Sequence, residues 1–178
     1  MLITISGLPG SGKTTVARLL SKGLGIPHVY AGDLYRKEAE ARGLSLDEFN
    51  RLCERDHSID RCLDAKMASY ARKGNAVLEG RLAGFLARQE HVEAFKVWLT
   101  AGEEVRARRV AQREGCDCGT VAALNDTRQR SDAKRYREIY GFDLDDTSLY
   151  DLVLCTDSQR PEELAERILA GVRQRQKR

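Results

Sequence analysis

The residues best suited to chemistry stand near the start of the chain. Gly7-Leu8-Pro9-Gly10-Ser11-Gly12-Lys13-Thr14-Thr15 contains G-x-x-x-x-G-K-[ST] in full, with an apolar run before it and helical spacing after it. Glycines let such a loop turn tightly and aim its N–H groups at phosphate oxygens, and the start of the following helix adds partial positive charge. Lys13 would reach the β- and γ-phosphates, and the Thr14 hydroxyl would ligate Mg²⁺. The loop predicts nucleotide binding. It leaves open whether the phosphoryl group goes to a second molecule or is hydrolysed to drive a switch or a motion.

A second group of residues bears on that choice. Transfer between two phosphorylated molecules needs both anions held in line and their charge neutralised. Arginine suits this task because its fork binds phosphate bidentately and stays charged. Arg36 follows "AGDLY", and Arg81 follows Glu79-Gly80. Arg109 and Arg113 lie four apart, while Arg128, Asp132 and Arg135 fall at spacings of four and three, so each group shares a helix face. Any one arginine alone reads as a solvated surface charge. The set, at strand ends and on helix faces, reads as a holder of a second phosphate. A switch or motor would instead carry a strand ending in Asp and a water-positioning residue.

These residues need elements to position them. "LITIS", 2–6, reads as a buried strand, and the apolar residues Val16, Ala17, Leu19, Leu20 and Leu24 as a helix stopped by Gly25. "HVY" is a second strand. Gly32-Asp33 opens a further helix with Asp33 as its N-cap, which puts Arg36 on the first turn. Ser45 and Glu48 form a capping box. "NAVLEG", "AFKVWLT" and "DLVLCT" supply three more strands, with helical stretches at about 102–114, 118–140 and 161–175. Strand–helix alternation implies parallel strands with right-handed crossovers, the three-layer α/β/α P-loop NTPase fold. Ligands there sit beyond the carboxyl ends of the strands, where Gly7, Asp33, Glu79–Arg81 and Thr100 fall.

Composition narrows the class. The 178 residues suit one domain. No apolar run approaches the ~20 residues that span a bilayer, and "MLITI" leads into the glycine loop with no basic segment before it. The expectation is a cytoplasmic protein off the membrane. A net charge of +3 gives no broad nucleic-acid footprint, although the arginine clusters would suit a duplex or a polyphosphate. The five cysteines, Cys53, Cys62, Cys116, Cys118 and Cys155, read as free thiols rather than disulfides or a zinc site. His28, His57 and His91 form no cluster, Tyr136, Tyr140 and Tyr150 read as packing as readily as ligands, and Trp98 reads as core.

Together, "GLPGSGKTTVA", "YAGDLYRKEAEARGLSLDEF", "NAVLEGRLAG", "VRARRVAQREG", "TRQRSDAKRYREIYGFDLDD" and "YDLVLCT" resemble the nucleoside monophosphate kinases, most closely the short cytidylate kinases of archaeal type. The resemblance covers nearly the whole chain. It implies one domain over 1–178, made of a core, an acceptor-binding segment at 33–74 and a small lid at about 114–135. It implies a monomer that transfers the γ-phosphoryl group of ATP, with Mg²⁺, to CMP or dCMP. Residues 7–15 would hold the donor phosphates, with Arg109 against the donor base and Arg113 on its phosphates. Asp33, Arg36, Gly80 and Arg81 would hold the acceptor. Arg128, Asp132 and Arg135 would line the acceptor ribose and the transferring phosphate, so that Lys13, Arg113, Arg128 and Arg135 form the catalytic set. Longer bacterial cytidylate kinases carry Asp where Leu82 stands here, and an inserted base-reading segment for which this chain has no room. The base reader is therefore sought among Asp33, Asp56, Asp60, Arg61, Asp64 and Lys66. Two alternatives stand: a kinase for another monophosphate or small metabolite, and a regulatory or RNA-associated ATPase.

Overall fold

The computed structural model describes residues 1–115 and 117–177. Five short strands form one parallel sheet: β1 (Leu2–Gly7), β2 (His28–Tyr30), β3 (Ala76–Glu79), β4 (Phe95–Thr100) and β5 (Leu152–Cys155), in the order β2-β3-β1-β4-β5. Alternation of side chains across each strand feeds two cores. On one face Ile3, Ile5, Val77, Val97, Leu99 and Leu154 meet α1 (Lys13–Leu24) and α8 (Pro161–Gln176) through Val16, Leu20, Leu164 and Ile168. On the other, Leu2, Leu78 and Trp98 meet α4 (His57–Lys73) and α5 (Ala83–Gln89) through Met67 and Leu86, with Phe142 and Tyr150 closing the layer. Each such side chain contributes roughly 1.5–3 kcal/mol on burial, so the layers hold the strand ends in place.

The site elements are insertions at those carboxyl ends. Between β2 and β3 run α2 (Ala31–Ala41), α3 (Leu46–Arg55) and α4. They close on a small core of their own, Ala39, Phe49, Cys53, Ile59 and Leu63. Between β4 and β5 run α6 (Glu103–Glu114) and the 23-residue α7 (Cys118–Tyr140), packed through Val110, Ala111 and Val121.

All five predicted strands form, the first helix runs from Lys13 to a left-handed Gly25, and Ser45 and Glu48 make the capping box. Trp98 is buried. The start of α2 needs correction. Its N-cap is Tyr30, and Asp33 is the third helical residue, which places Arg36 in the second turn. Asp33 still lies at the positive end of the helix, where a carboxylate is favoured as well as at the cap. Two helices go beyond the sequence reading: α4, which makes three consecutive helices between β2 and β3, and α5, between β3 and β4. Cys53 is buried and Cys62, Cys118 and Cys155 are exposed free thiols, while Cys116 lies outside the described residues. Among the described residues no group of three or more His, Cys, Asp or Glu is arranged for a metal, and no helix is long and apolar enough to cross a membrane.

Candidate active site

The glycine loop is shaped from both sides. Gly7 has φ 144°, and a Cβ there would lie 2.2 Å from the Leu99 carbonyl of β4. Gly10 has φ 80°, and its Cβ would lie 2.5 Å from the Arg106 carbonyl of α6. Both positions combine a left-handed backbone with a neighbouring main chain in contact, so a side chain fits neither.

Lys13 opens α1 and donates from Nζ to the Leu8 carbonyl at 2.7 Å, across its own loop. Burial pulls its pKa down to about 7; Glu79 opposes this, and the positive charges of Arg81, Arg128 and Arg113 add to it. Four cationic side chains from the loop, the end of β3, α6 and α7 therefore converge. Burial, followed by the charge of Arg81, also lowers the pKa of Arg128. Such a concentration of mutually repelling charge is a site for a polyanion.

Next to Lys13, the Thr14 hydroxyl donates to Glu79 Oε1 at 2.6 Å, and Glu79 Oε2 meets His28 Nε2 at 2.8 Å. Glu79 is fully buried at the end of β3, in register with Ile5 of the central strand. Hydroxyl and carboxylate oxygens beside a phosphate loop fit the hard-oxygen coordination that Mg²⁺ demands.

On the opposite flank of the loop lies Arg109. It donates to Thr156 Oγ1 at 2.8 Å, to the Thr156 carbonyl at 2.6 Å and to the Gly10 carbonyl at 3.4 Å, while Thr156 Oγ1 donates to the Ser11 carbonyl at 3.1 Å. This ties α6 and the end of β5 to the loop. Arg113, one turn along α6, pairs with Glu114 at the surface.

Arg81 faces α7, where it pairs with Asp132. Burial alone would lower its pKa, but Asp132 and Tyr136 more than reverse this. Gly80 permits the approach of α2, since a Cβ there would lie 2.8 Å from that of Ala31. Arg36 and Asp33 pair with each other at 2.6 Å on exposed α2, with the Arg36 guanidinium 5.1 Å from the Tyr30 ring centre.

Arg135 is placed differently from the other arginines. It is 1% exposed and makes four hydrogen bonds: to Asp60 at 2.9 Å, Asn50 at 3.0 Å, Ser131 at 2.6 Å and Asp132 at 2.7 Å. Its guanidinium binds α7 to α3 and α4. Arg128 and Arg135 share a helix, yet only Arg128 joins the charges acting on Lys13 named above. One turn along α4 from Asp60, Asp64 accepts from Tyr140 Oη at 2.8 Å. Burial pushes its pKa up to about 7, the Tyr140 hydrogen bond opposing and Asp60 reinforcing.

A model of the cytidylate kinase-like family matches residues 2–158. The chain belongs to that family. It is 45% identical to a cytidylate kinase of Methanopyrus kandleri over 97% of this chain and 93% of the relative. It is 48% identical to a cytidylate kinase of Natronomonas pharaonis over 91% of this chain and 84% of the relative. In fold it is similar to a gluconokinase from Sinorhizobium meliloti, with a TM-score of 0.65 at 19% identity over 97% and 91% of the two chains.

Of the residues named from the sequence, Arg109 lies against the phosphate loop, and the charges of Arg81, Arg113 and Arg128 act on Lys13, while Arg36 and Asp33 pair apart from them. Three residues at the site were not singled out as site residues. Glu79 could have been found from its position as an acid ending a strand, but its meeting with Thr14 depends on β3 lying beside β1. Thr156 and Asn50 carry no sequence signal of their own.

Proposed function

We propose that the chain is a Mg-ATP-dependent kinase for CMP or dCMP. The convergence of Lys13, Arg81, Arg113 and Arg128 beyond the sheet carries this reading, because a second anion would sit there beside the donor phosphates. Membership of the cytidylate kinase-like family supports the choice of acceptor.

The loop N–H groups and Lys13 hold the β- and γ-phosphates, and Arg109 lies on the donor side. Arg81 holds the acceptor phosphate. An oxygen of that phosphate attacks the γ-phosphorus, the bond to the bridging oxygen breaks, and ADP leaves. Arg113 and Arg128 neutralise charge spreading over the transferring group. The acceptor is already an anion at neutral pH, so no general base is required. Thr14 and Glu79 would hold Mg²⁺, which would supply neutralisation of phosphate charge. Arg135 acts as a positioning residue, fixing Asp132 beside Arg81. The segment 33–74, with its own core, covers the acceptor, and about 114–135 closes as a lid that excludes water.

ADP formation from Mg-ATP with CMP, dCMP, UMP, AMP and GMP, beside a control lacking acceptor, tests this. Turnover with CMP or dCMP well above the others is expected. Equal ADP with and without acceptor would sink the kinase reading in favour of an ATPase.

A further inference from the structure

Helices α4 and α7 carry a graded row of polar groups leading away from the phosphate loop. Nearest the loop, Asp132 pairs with Arg81. Arg135 then bridges Asp132 and Asp60. Asp64 lies four residues beyond Asp60 on α4, about 6 Å along the axis, and Tyr140 five residues beyond Arg135 on α7, about 7.5 Å; the two are joined by a hydrogen bond.

The three carboxyl groups differ in kind. Asp60 and Asp132 are 5% and 2% exposed and closed in ion pairs with Arg135. Asp64 is half-buried, and among the described residues its one hydrogen bond comes from Tyr140 Oη onto Oδ2. The Tyr140 ring packs against Phe85 with 5.5 Å between ring centres, which fixes the hydroxyl.

We propose that an acceptor whose phosphate sits on Arg81 lays its base along this row, and that Asp64, oriented by Tyr140, is the specificity-determining residue for that base, pairing its carboxyl with the cytosine N4 amino group and N3. In that pairing Oδ2 accepts from N4 and Oδ1 donates to N3. This rests on the kinase reading above. Burial places the Asp64 pKa near 7, so the protonated form is populated at neutral pH. Tyr140 decides which oxygen carries the proton, because Oδ2 already accepts a hydrogen bond. Uracil presents N3–H and O4 in the same places, so donor would face donor and acceptor face acceptor. A mismatched bidentate pair of this kind costs roughly 5- to 150-fold in discrimination.

The test is the ratio of kcat/KM for CMP to that for UMP, measured on the full chain. Asp64→Asn should keep the ratio, since an amide offers the same acceptor and donor as a neutral carboxyl. Asp64→Val should lower it roughly 10- to 100-fold through the KM for CMP, leaving the KM for ATP unchanged. Tyr140→Phe frees the carboxyl to turn over and should lower the ratio several-fold; it carries the test if Asp64→Val does not fold. A wild-type ratio in Asp64→Val or in Tyr140→Phe overturns the assignment while leaving the kinase reading intact. A wild-type chain that phosphorylates another monophosphate but not CMP overturns both.

Discussion

Replacing Arg135 with Met separates a scaffold arginine from a catalytic one. The substitution keeps much of the side-chain volume and removes four hydrogen bonds, all to groups on α3, α4 and α7. Asp132 retains Arg81, but Asp60, 5% exposed, loses the cation it pairs with. Breaking a buried pair from one side costs about 3–5 kcal/mol. For a chain of 178 residues each kcal/mol moves Tm by about 2–4 °C, so a fall of roughly 6–20 °C is expected. Adding Asp60→Asn removes the orphaned charge, and the double variant should recover about 1–3 kcal/mol relative to the sum of the single changes. The pH dependence has a definite sign. Burial already raises the Asp60 pKa against the pull of Arg135, and without Arg135 it rises further above its unfolded value. The folded state then binds more protons than the unfolded state, so the Arg135→Met deficit grows as pH rises above the ordinary Asp range and shrinks toward pH 4. Thermal melts at pH 4 and pH 7, with kcat measured on the same preparations, check this. An unchanged Tm with a thousandfold loss of kcat would show Arg135 acting on the phosphoryl group and refute the scaffold reasoning.

Three further outcomes follow from the loop. Lys13 has a pKa near 7, so a bound polyphosphate should draw about half a proton onto it at pH 7; calorimetry in buffers of different ionisation heat should show that excess over Lys13→Arg, and equal uptake would contradict it. Gly10→Ala adds a Cβ 2.5 Å from the Arg106 carbonyl at φ 80°, and strain of about 1–3 kcal/mol should weaken ATP binding roughly 5- to 150-fold in direct titration. Glu79→Gln should raise the Mg²⁺ concentration needed for half-maximal ATP affinity; an unchanged Mg²⁺ titration would remove Glu79 from the metal's surroundings.

Local features were readable from the sequence to the residue. The limits of α1 at Lys13 and Gly25 follow from one motif and one left-handed stop, both short-range signals. Asp33 shows where local reading fails. Carboxylates favour both the cap and the first turn, and the contact of Ala31 with Gly80, nearly fifty residues away in sequence, accompanies a cap three residues earlier. Arg135 shows the same limit in the site. Helical spacing places it with Arg128 and Asp132, but its fate is decided by Asp60 and Asn50, which reach it from α4 and α3. Glu79 was visible as the acid ending a strand, yet only the strand order β2-β3-β1-β4-β5 brings it to Thr14.

The continuity of α7 has a mechanical consequence. Arg128 and Tyr140 stand twelve positions apart on one unbroken helix, about 18 Å along its axis. A stiff rod transmits displacement from one end to the other. If α7 moves as one body, whatever shifts it at Tyr140 would shift Arg128 as well, and any coupling between the two ends would be the same in both directions.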